Sequence, residues 1–371
     1  MNTMVQPSGV DEKSLVMAPG PYELVSLRGA EAAQWDELVT GYPDYEVFHR
    51  QAWLDYLAES RGVDIRKWAV YGQGRRLGLF CAGDLRKGPF RIWGSPLRGW
   101  GTNSMGAVLA ADADPAEFLR ALDVAARNEG IAMVELEPRS FHQDLLVRAG
   151  FQPVEGLTYW VELGDEAQML KRLHKGRRSG VKKAIHSGLT AEVCETPEVA
   201  EEFYDRFRGI MQNKGLAPGY PREYPRLLFE HLHRIGRIWG LRIRDPLGRV
   251  LAAGLFPFDN RTLYFWGGAD SLEGRSFCPN DFLHWSAMCL GARQGLRRYD
   301  TSGHGRFKRE FGGKLVTIRR WHKCYWRSAQ WARKAYEIYS RQRLRLAGRF
   351  AKKQSVENDS PFPVEEPSTG N

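Results

Sequence analysis

Two stretches of this chain repeat the same order of elements. Residues 65–101 contain three short runs of alternating apolar and polar positions separated by turns, and residues 238–268 contain three more. In both stretches the second run is apolar and rich in small residues, and the third ends in the dipeptide Trp-Gly, at 93–94 and at 266–267. Alternation with a period of two is typical of strands, so each stretch predicts a three-stranded antiparallel meander.

The repeat extends to the segments around each meander. A helical segment precedes each one, at 48–60 in the first half and at 200–215 with 225–235 in the second. A helix, a glycine break and a strand follow each one, at 116–137 and 281–303. Self-similarity of this kind indicates a duplicated unit. We therefore predict an α+β fold made of two tandem domains, each a mainly antiparallel sheet flanked by helices.

Composition places the chain among soluble globular proteins. Its 371 residues are 43% hydrophobic and 26% charged, which suits two domains of ordinary size. Residues 1–20 lack a basic start and a continuous apolar core, so we expect a disordered leader and a cytoplasmic protein. The acidic, proline-containing residues 354–371 are expected to form a disordered tail.

Cysteine and histidine spacing argues against a metal site. The five cysteines are scattered, odd in number and never arranged as C-x-x-C, which also argues against a disulfide framework. His231 and His233 are two residues apart, so they would point to different faces of a helix. We predict no metal and no bound cofactor.

The positive charge is concentrated locally. The net charge is +10, and residues 171–188 carry seven cations and no acid. Such a field attracts phosphates, whether on RNA (including tRNA), a nucleotide sugar, coenzyme A or an anionic membrane. The alternative is a solvated helix face. A second basic stretch, 341–353, could equally contact membrane lipid or nothing.

The segment TSGHGRFKREFGG, residues 301–313, combines four glycines with a Phe-Lys pair. Glycine lets the backbone turn sharply or approach a ligand closely. A phosphate-binding P-loop is excluded, because that motif would need glycine at Lys308 and Ser or Thr at Leu315. A second glycine-rich loop, 95–106, follows the Trp-Gly strand of the first meander, in the place that residues 268–280 take after the second meander. We expect it to border a groove between the domains, with a plain connecting loop as the alternative.

These motifs together resemble the FemAB-like branch of the GNAT acyltransferase superfamily, which has tandem acyltransferase-like domains and includes the aminoacyl transferases of peptidoglycan bridges. The resemblance covers about residues 22–340 and is carried by three segments. They are the motif FK-x-x-FGG with its preceding glycines (Gly303, Gly305, Phe307, Lys308, Phe311, Gly312, Gly313), the basic segment Arg178, Val181, Lys182, Lys183, Ala184, and the aromatic strand 263–269.

The resemblance implies a domain plan. Residues 21–165 would form the first GNAT-like domain and residues 166–315 the second. Residues 316–350 would add a C-terminal strand and helix that pack back on the domains.

The resemblance also implies an N-acyltransferase. The co-substrate would be acyl-CoA or aminoacyl-tRNA, and the acceptor an amine of a cell-envelope precursor, a nucleotide sugar or a related metabolite. The Q/R-x-x-G-x-G/A loop of coenzyme A-dependent members is not found, so the choice between acyl-CoA and aminoacyl-tRNA as the acyl donor is left open. Lys308 would be catalytic, placing positive charge beside the reacting carbonyl or the donor's phosphate. The expected substrate-binding residues are Phe307, Gly303, Gly305, His304, Tyr264, Trp266, Arg177, Arg178 and Tyr224.

Alternatives remain for several of these residues. Lys308 could be a surface lysine beside a turn, and Phe307 and Phe311 could belong to the core. Tyr264 and Trp266 could serve sheet packing. His304 would be a base only with a carboxylate partner, for which Asp300 is the nearby candidate. At the level of function, the alternatives are a non-catalytic protein that binds RNA or an anionic surface through residues 171–188, and a degenerate acyltransferase fold that serves as an assembly partner.

Overall fold

The computed structural model describes residues 22–335. The predicted leader 1–20 and tail 354–371, and the basic stretch 341–353, lie outside the described residues. The first half of the chain contains, in order, β1 (Glu23–Ser26), α1 (Gly29–Ala33), α2 (Trp35–Thr40), a 3₁₀ turn (Val47–His49), α3 (Gln51–Arg61), β2 (Asp64–Gly72), β3 (Arg75–Lys87), β4 (Phe90–Ser95), β5 (Ala107–Leu109), α4 (Pro115–Asn128), β6 (Met133–Leu136), α5 (Gln143–Arg148) and β7 (Gln152–Glu162).

The second half repeats this order. Its elements are α6 (Glu166–Arg172), α7 (Lys175–His186), β8 (Thr190–Cys194), α8 (Glu198–Asn213), α9 (Glu223–His233), β9 (Ile238–Arg244), β10 (Val250–Pro257), β11 (Thr262–Tyr264), β12 (Gly267–Asp270), a 3₁₀ turn (Arg275–Phe277), α10 (Pro279–Arg293), β13 (Arg298–Asp300), α11 (Arg306–Arg309) and β14 (Lys314–Cys324). Each half has a meander, a crossover helix (α4 or α10) and a strand parallel to the last strand of the meander. The predicted fold class, α+β with two tandem units, is confirmed.

Local sequence explains where the crossover helix α4 begins. Asp114 is its N-cap, and its carboxylate accepts a hydrogen bond from the backbone N–H of Ala116 at 2.8 Å. Pro115 occupies the first helical position, where its missing N–H has no helical partner to lose. The apolar face buries Phe118 and Leu122 against the sheet. The capped start therefore fixes the register of the face that the helix presents to the core.

The two halves exchange their last strands. The large sheet has the order β1-β2-β3-β4-β6-β14-β7-β13-β11, with β5 paired to β3. Thus β14, the last described strand, lies between β6 and β7, and β7, the last strand of the first half, lies between β14 and β13. Residues 314–322 of β14 pair antiparallel with residues 152–160 of β7. A smaller sheet has the order β12-β10-β9-β8. Within the large sheet, each half therefore pairs with the last strand of the other half.

Burial follows the alternation of the strands. On β3, Leu79 and Cys81 contact a core cluster that extends into the second half, whereas Phe80 and Ala82 contact the cluster beneath α4. The shared cluster includes Phe48, whose ring lies 4.7 Å from the ring of Tyr264 in a T-shaped arrangement. The junction between the halves is therefore part of the apolar core.

The third strand of the second meander differs from the prediction. The sequence predicts one continuous strand over 263–269, but β11 and β12 belong to different sheets. The backbone N–H of Phe265 donates to the Asp300 carbonyl on β13, and that of Trp266 donates to the Leu255 carbonyl on β10. The chain changes partner strands at these two residues, which is why the strand is interrupted there.

Candidate functional site

Two neighbouring parallel strands separate in the second half. β11 and β13 pair from Thr262 with Arg298 to Tyr264 with Asp300, and beyond that point β12 pairs with β10 instead. We call the space between 265–268 and 301–305 the strand opening. The corresponding place in the first half, past β4 and β6, is closed by an antiparallel bridge between Met105 and Glu137. The strand opening in the second half is therefore closed at the equivalent place in the first half.

A buried carboxylate holds the glycine-rich side of the strand opening. Asp300 is only 1% exposed and accepts hydrogen bonds from the Ser302 backbone N–H at 2.8 Å and from the Thr158 hydroxyl at 2.7 Å. Trp160 Nε1 and Arg139 also donate to it, at 3.2 and 3.4 Å. Asp300 is the candidate carboxylate partner of His304, but the Asp300 carboxylate accepts its hydrogen bonds from these four other groups.

The loop after β13 has an unusual backbone. Ser302 adopts a φ of 52°, and Gly303 and Gly305 adopt 131° and 136°. These values strongly favour glycine, which agrees with the predicted need for glycine in this loop. A Cβ on Gly303 would lie 3.1 Å from Lys308 Nζ, whereas a Cβ on Gly305 would meet open space. Glycine at 303 thus also leaves room for the lysine ammonium.

Lys308 lies at the strand opening. It belongs to the short helix α11, and its Nζ donates to the Ser302 carbonyl at 3.0 Å and lies 5.4 Å from the centre of the Phe265 ring. Burial lowers the pKa of Lys308 to about 8, although the Asp300 carboxylate acts in the opposite direction. Near pH 7 the side chain is therefore mostly an ammonium, in surroundings less polar than water, where its charge acts strongly on a neighbouring group.

Arg177 connects α11 to two other helices. Its guanidinium forms ion pairs with Asp281 on α10 and, at 2.9 Å, with Glu310 directly after α11, and it lies 4.4 Å from the centre of the Phe307 ring. Gly180 on α7 lets the two helices approach, because a Cβ there would collide with the Asp281 carboxylate. Arg177 therefore links α7 and α10 to the end of α11, the short helix that carries Lys308 and Phe307.

The structure brings part of the predicted site together. Lys308, Phe307, Gly303, Gly305 and His304 surround the glycine-rich side of the strand opening, and His304 is exposed. Trp266 lies on the opposite side, adjacent to Phe265. Phe311 is fully buried and belongs to the core, and its ring lies 5.2 Å from that of Phe307.

Other predicted residues lie apart from Lys308. Tyr264 is buried in the shared core and its hydroxyl donates to Asp259 at 2.8 Å. Arg178 donates to the Lys171 carbonyl on the basic segment. Tyr224 stacks at 4.1 Å beneath the guanidinium of Arg61. Ligand binding by these residues, as by Arg177 and His304, stays a prediction.

An aromatic ladder borders the other side of the strand opening. The rings of Phe207 and Tyr220 stack with centres 5.1 Å apart, and Tyr220 stacks on Tyr224 at 6.4 Å. The Trp266 ring lies 5.5 Å from that of Tyr220, and its Nε1 is buried without a hydrogen-bond partner. These partly exposed rings offer a flat, apolar surface next to the site.

The first half also reaches the site, as predicted for the loop 95–106. Asn103 Nδ2 donates to the Ser302 hydroxyl at 2.6 Å, and Gly101 packs against the Trp266 indole. Thr102 accepts a hydrogen bond from the Trp53 indole on α3 at 3.1 Å. The loop therefore connects the core of the first half to the glycine-rich loop of the second.

One residue of the site has no signal in the sequence. His284 on α10 is 1% exposed, and its ring lies 4.5 Å from Phe265, 4.8 Å from Phe311 and 5.2 Å from Phe307. Burial lowers the pKa of His284 to about 3, and the charges of Lys308 and Arg177 act in the same direction. A lone histidine in an apolar helix matches no motif, so only the fold shows that it lies beside Lys308.

Within residues 22–335, no three His, Cys, Asp or Glu side chains are grouped so that they could hold a metal ion. Over the same range, no helix has the length and hydropathy needed to span a membrane.

Residues 169–309 match the family model described as an acetyltransferase (GNAT) domain. The chain thus contains a GNAT-type domain, and the two segments of the strand opening and Lys308 lie within it. The prediction of an acyltransferase is confirmed at the level of this domain family. No curated protein matches the sequence.

Solved structures show the same fold. FemX aligns with a TM-score of 0.68 at 16% identity, over 81% of this chain and 97% of FemX. A conserved protein of unknown function from Bacteroides thetaiotaomicron VPI-5482 aligns with a TM-score of 0.56 at 12% identity, over 81% and 98% of the two chains. A tandem GNAT protein from the clavulanic acid pathway aligns with a TM-score of 0.47 at 12% identity, over 82% and 98%. The predicted likeness to FemAB-like folds is confirmed by the alignment with FemX.

Proposed function

We propose that this protein is an N-acyltransferase that moves an acyl or aminoacyl group from acyl-CoA or aminoacyl-tRNA to an amine. The acceptor belongs to a cell-envelope precursor, a nucleotide sugar or a related metabolite, and the reaction takes place in the cytoplasm. The observation that carries the proposal is the position of Lys308, whose ammonium is held at the strand opening of the GNAT domain by the Ser302 carbonyl.

The chemistry requires charge stabilisation more than proton abstraction. The nitrogen of a neutral amine attacks the donor carbonyl carbon, an N–C bond forms, and the carbonyl oxygen becomes an oxyanion. When the oxyanion collapses, the C–S bond of a thioester or the C–O bond of an ester breaks, and the leaving group takes a proton from the new ammonium. Lys308 places a positive charge where the oxyanion develops, and such a preorganised donor is worth about 3 kcal/mol.

The basic helices α6 and α7 offer a binding surface for the acyl donor. Lys171, Lys175, Lys182 and Lys183 on or near α6 and α7 are exposed, and no carboxylate within the described part of the chain pairs with them. Arg177 and Arg172 of the same segment do have carboxylate partners. The four exposed lysines form a cationic surface in the same domain as Lys308, and we propose that this surface holds the phosphates of the donor.

The same lysines favour a second candidate, a protein that binds RNA or an anionic surface without catalysis. Its affinity should fall steeply with salt, because each lysine that neutralises a phosphate releases a counterion. A filter-binding titration with tRNA between 50 and 200 mM salt measures this dependence. Steep salt dependence without any release of deacylated tRNA or free coenzyme A would favour the binder.

Turnover is the direct test of the enzyme. The protein is incubated with a small-molecule extract and either acetyl-CoA or charged tRNA, and mass spectrometry identifies any acylated amine. Lys308→Ala should lower turnover by about 10²-fold to 10³-fold while the melting temperature stays close to that of the wild type. Lys87→Ala, which changes an exposed lysine on β3, is the matched control and should behave as the wild type. Wild-type turnover in Lys308→Ala would remove Lys308 from the mechanism.

A further inference from the structure

The His284 ring has one nitrogen without a partner in the core. Nδ1 lies 2.6 Å from the Tyr299 hydroxyl, whereas Nε2 is buried and makes no hydrogen bond. Buried polar atoms almost always have a partner, so an unpaired one calls for an explanation. Neither the helix nor the glycine-rich loop supplies one here.

The tautomer follows from the hydrogen-bond inventory. If Nδ1 carried the proton and donated to Tyr299, then both the Tyr299 hydroxyl proton and the Nε2 lone pair would lack partners. If Tyr299 donates to Nδ1, only the Nε2–H is left without a partner. The second arrangement leaves fewer buried groups unpaired, so His284 presents an N–H donor at Nε2.

This donor lies next to the proposed reaction centre. The Phe265 ring is 4.5 Å from the His284 ring and 5.4 Å from Lys308 Nζ, so the imidazole and the ammonium lie around the same phenyl group. Phe265 is also the residue at which the strand changes partners, as described above. The two donors therefore belong to one small part of the strand opening.

Phe307 covers the imidazole from the side of α11. Its side chain is partly exposed, and its ring lies 5.2 Å from that of His284. The helix that carries it has four residues, and a Cβ added at Gly305, directly before the helix, would meet no other atom. A shift of Phe307 would open the side of the imidazole that faces α11, while the other neighbouring rings, Phe311 and Tyr299, stay in the core.

We propose that the Nε2–H of His284 is a second hydrogen-bond donor to the carbonyl oxygen of the acyl donor, beside the Lys308 ammonium, and that entry of the donor moves Phe307 aside. This inference rests on the proposed function and adds a residue to its mechanism. The imidazole transfers no proton. It donates to the carbonyl oxygen before attack and, more strongly, to the oxyanion that attack produces. Tyr299 keeps the proton on Nε2, as a fixed orienting partner does in other histidine sites.

Paired substitutions test the donor. In His284→Gln the amide nitrogen can take the position of Nε2 and donate, whereas His284→Phe fills the same aromatic surroundings without a donor. We expect His284→Phe to lower kcat by about 10²-fold with a much smaller change in KM for acetyl-CoA or charged tRNA, whichever donor turns over. His284→Gln should keep most of the activity. His142→Gln, which changes an exposed histidine, is the matched control.

A spectroscopic measurement tests the tautomer without turnover. In full-length protein labelled with ¹⁵N-histidine, the His284 resonances, assigned by their loss in His284→Gln, should show a neutral ring protonated at Nε2 between pH 5 and 8. Tyr299→Phe should weaken that preference.

The outcomes separate the two proposals. Wild-type kcat in His284→Phe, or a ring protonated at Nδ1, would overturn the inference and leave the proposed function standing. Lack of turnover by the wild type with either donor would overturn the proposed function and the inference with it.

Discussion

At the scale of the residue, burial and function act on Lys308 in opposite directions. An ammonium is favoured by water, and the same enclosure that lowers the pKa of Lys308 to about 8 makes its remaining charge more effective. The Ser302 carbonyl at 3.0 Å and the nearby Asp300 carboxylate keep the side chain charged near neutral pH. The residue is thus charged where the proposed chemistry needs it, but only over a limited range of pH.

The activity should therefore fall at alkaline pH. The folded-state pKa lies below that of a free lysine, so the ammonium is present below pH 8 and is lost as the pH rises through about 8. The measurement is kcat at saturating substrates between pH 6 and 10, which should decline above pH 8. In Lys308→Arg the guanidinium stays charged, so the residual activity should show no such decline. An identical decline in both proteins would assign it to another group.

The position of Gly303 beside Lys308 can be tested by substitution. Gly303→Ala places a methyl group 3.1 Å from Lys308 Nζ at a φ of 131°, whereas Gly305→Ala imposes similar strain at 136° in open space. Both variants should lose about 1–3 kcal/mol of stability, measured by urea unfolding. Only Gly303→Ala should also displace the Lys308 ammonium, so its turnover should be lower than that of the control variant Gly305→Ala. Equal turnover in the two variants would contradict the proposed position of Lys308.

At the scale of the element, the ion pairs of Arg177 hold α7, α10 and α11 together around the site. Asp281 and Glu310 are both nearly buried, with side-chain exposures of 8% and 7%, and Arg177 pairs with both, while Arg306 also pairs with Glu310. Burial raises the pKa of Asp281, which the Arg177 charge partly offsets. We infer that Arg177 positions Lys308 through its ion pair with Glu310, which holds the end of α11.

Removal of Arg177 should therefore be costly. Arg177→Met leaves the buried Asp281 carboxylate unpaired and leaves Glu310 with Arg306 as its remaining ion pair, so it should lower the free energy of unfolding by about 3 kcal/mol, measured by urea unfolding at pH 7. The matched control is Arg293→Met, which breaks an exposed pair with Glu166 and should cost less than about 1 kcal/mol. The triple variant with Asp281→Asn and Glu310→Gln should regain part of the loss. Equal losses for the two single variants would contradict the proposed role.

The sequence predicted the helices, strands and loops better than it predicted which strands and side chains contact each other. The meanders, crossover helices and glycine-rich loop depend on local patterns, so they were predictable. The break at Phe265–Trp266 was not, because apolar alternation continues through it and only the choice of partner strand interrupts it. The pairing of Arg177 with residues 104 and 133 positions away was equally hidden, as was the position of His284 beside Lys308.

At the scale of the whole molecule, the exchange of β7 and β14 makes the two halves interdependent. Each parallel pair, β4 with β6 and β11 with β13, continues into the shared strands β14 and β7. The family resemblance implied a C-terminal strand that packs back on the domains, but not its place between β6 and β7, because a strand's own pattern does not identify its neighbour. The domain boundary near residue 165 remains our proposal, and these domains share a sheet.

Separated halves should therefore fail to fold alone. A cut at the exposed Gly164 leaves β7 in the first fragment and β14 in the second. We expect neither fragment to unfold cooperatively in circular dichroism, because each lacks a strand that pairs with its own edge. An equimolar mixture should regain a cooperative transition. Cooperative unfolding of the first fragment alone would contradict the interdependence.

The central claim, that acyl transfer takes place at the strand opening beside Lys308, is tested most directly by competitive labelling. Acetic anhydride modifies lysines in the full-length protein at pH 7.5, mass spectrometry measures the modified fraction of each lysine, and turnover is measured on the same samples. Because its pKa is lowered, Lys308 should react with the anhydride once the reagent reaches its partly buried side chain. The bound acyl donor should protect Lys308 from modification. Turnover should fall in proportion to the modified fraction of Lys308. Undiminished turnover in protein fully modified at Lys308 would contradict the account.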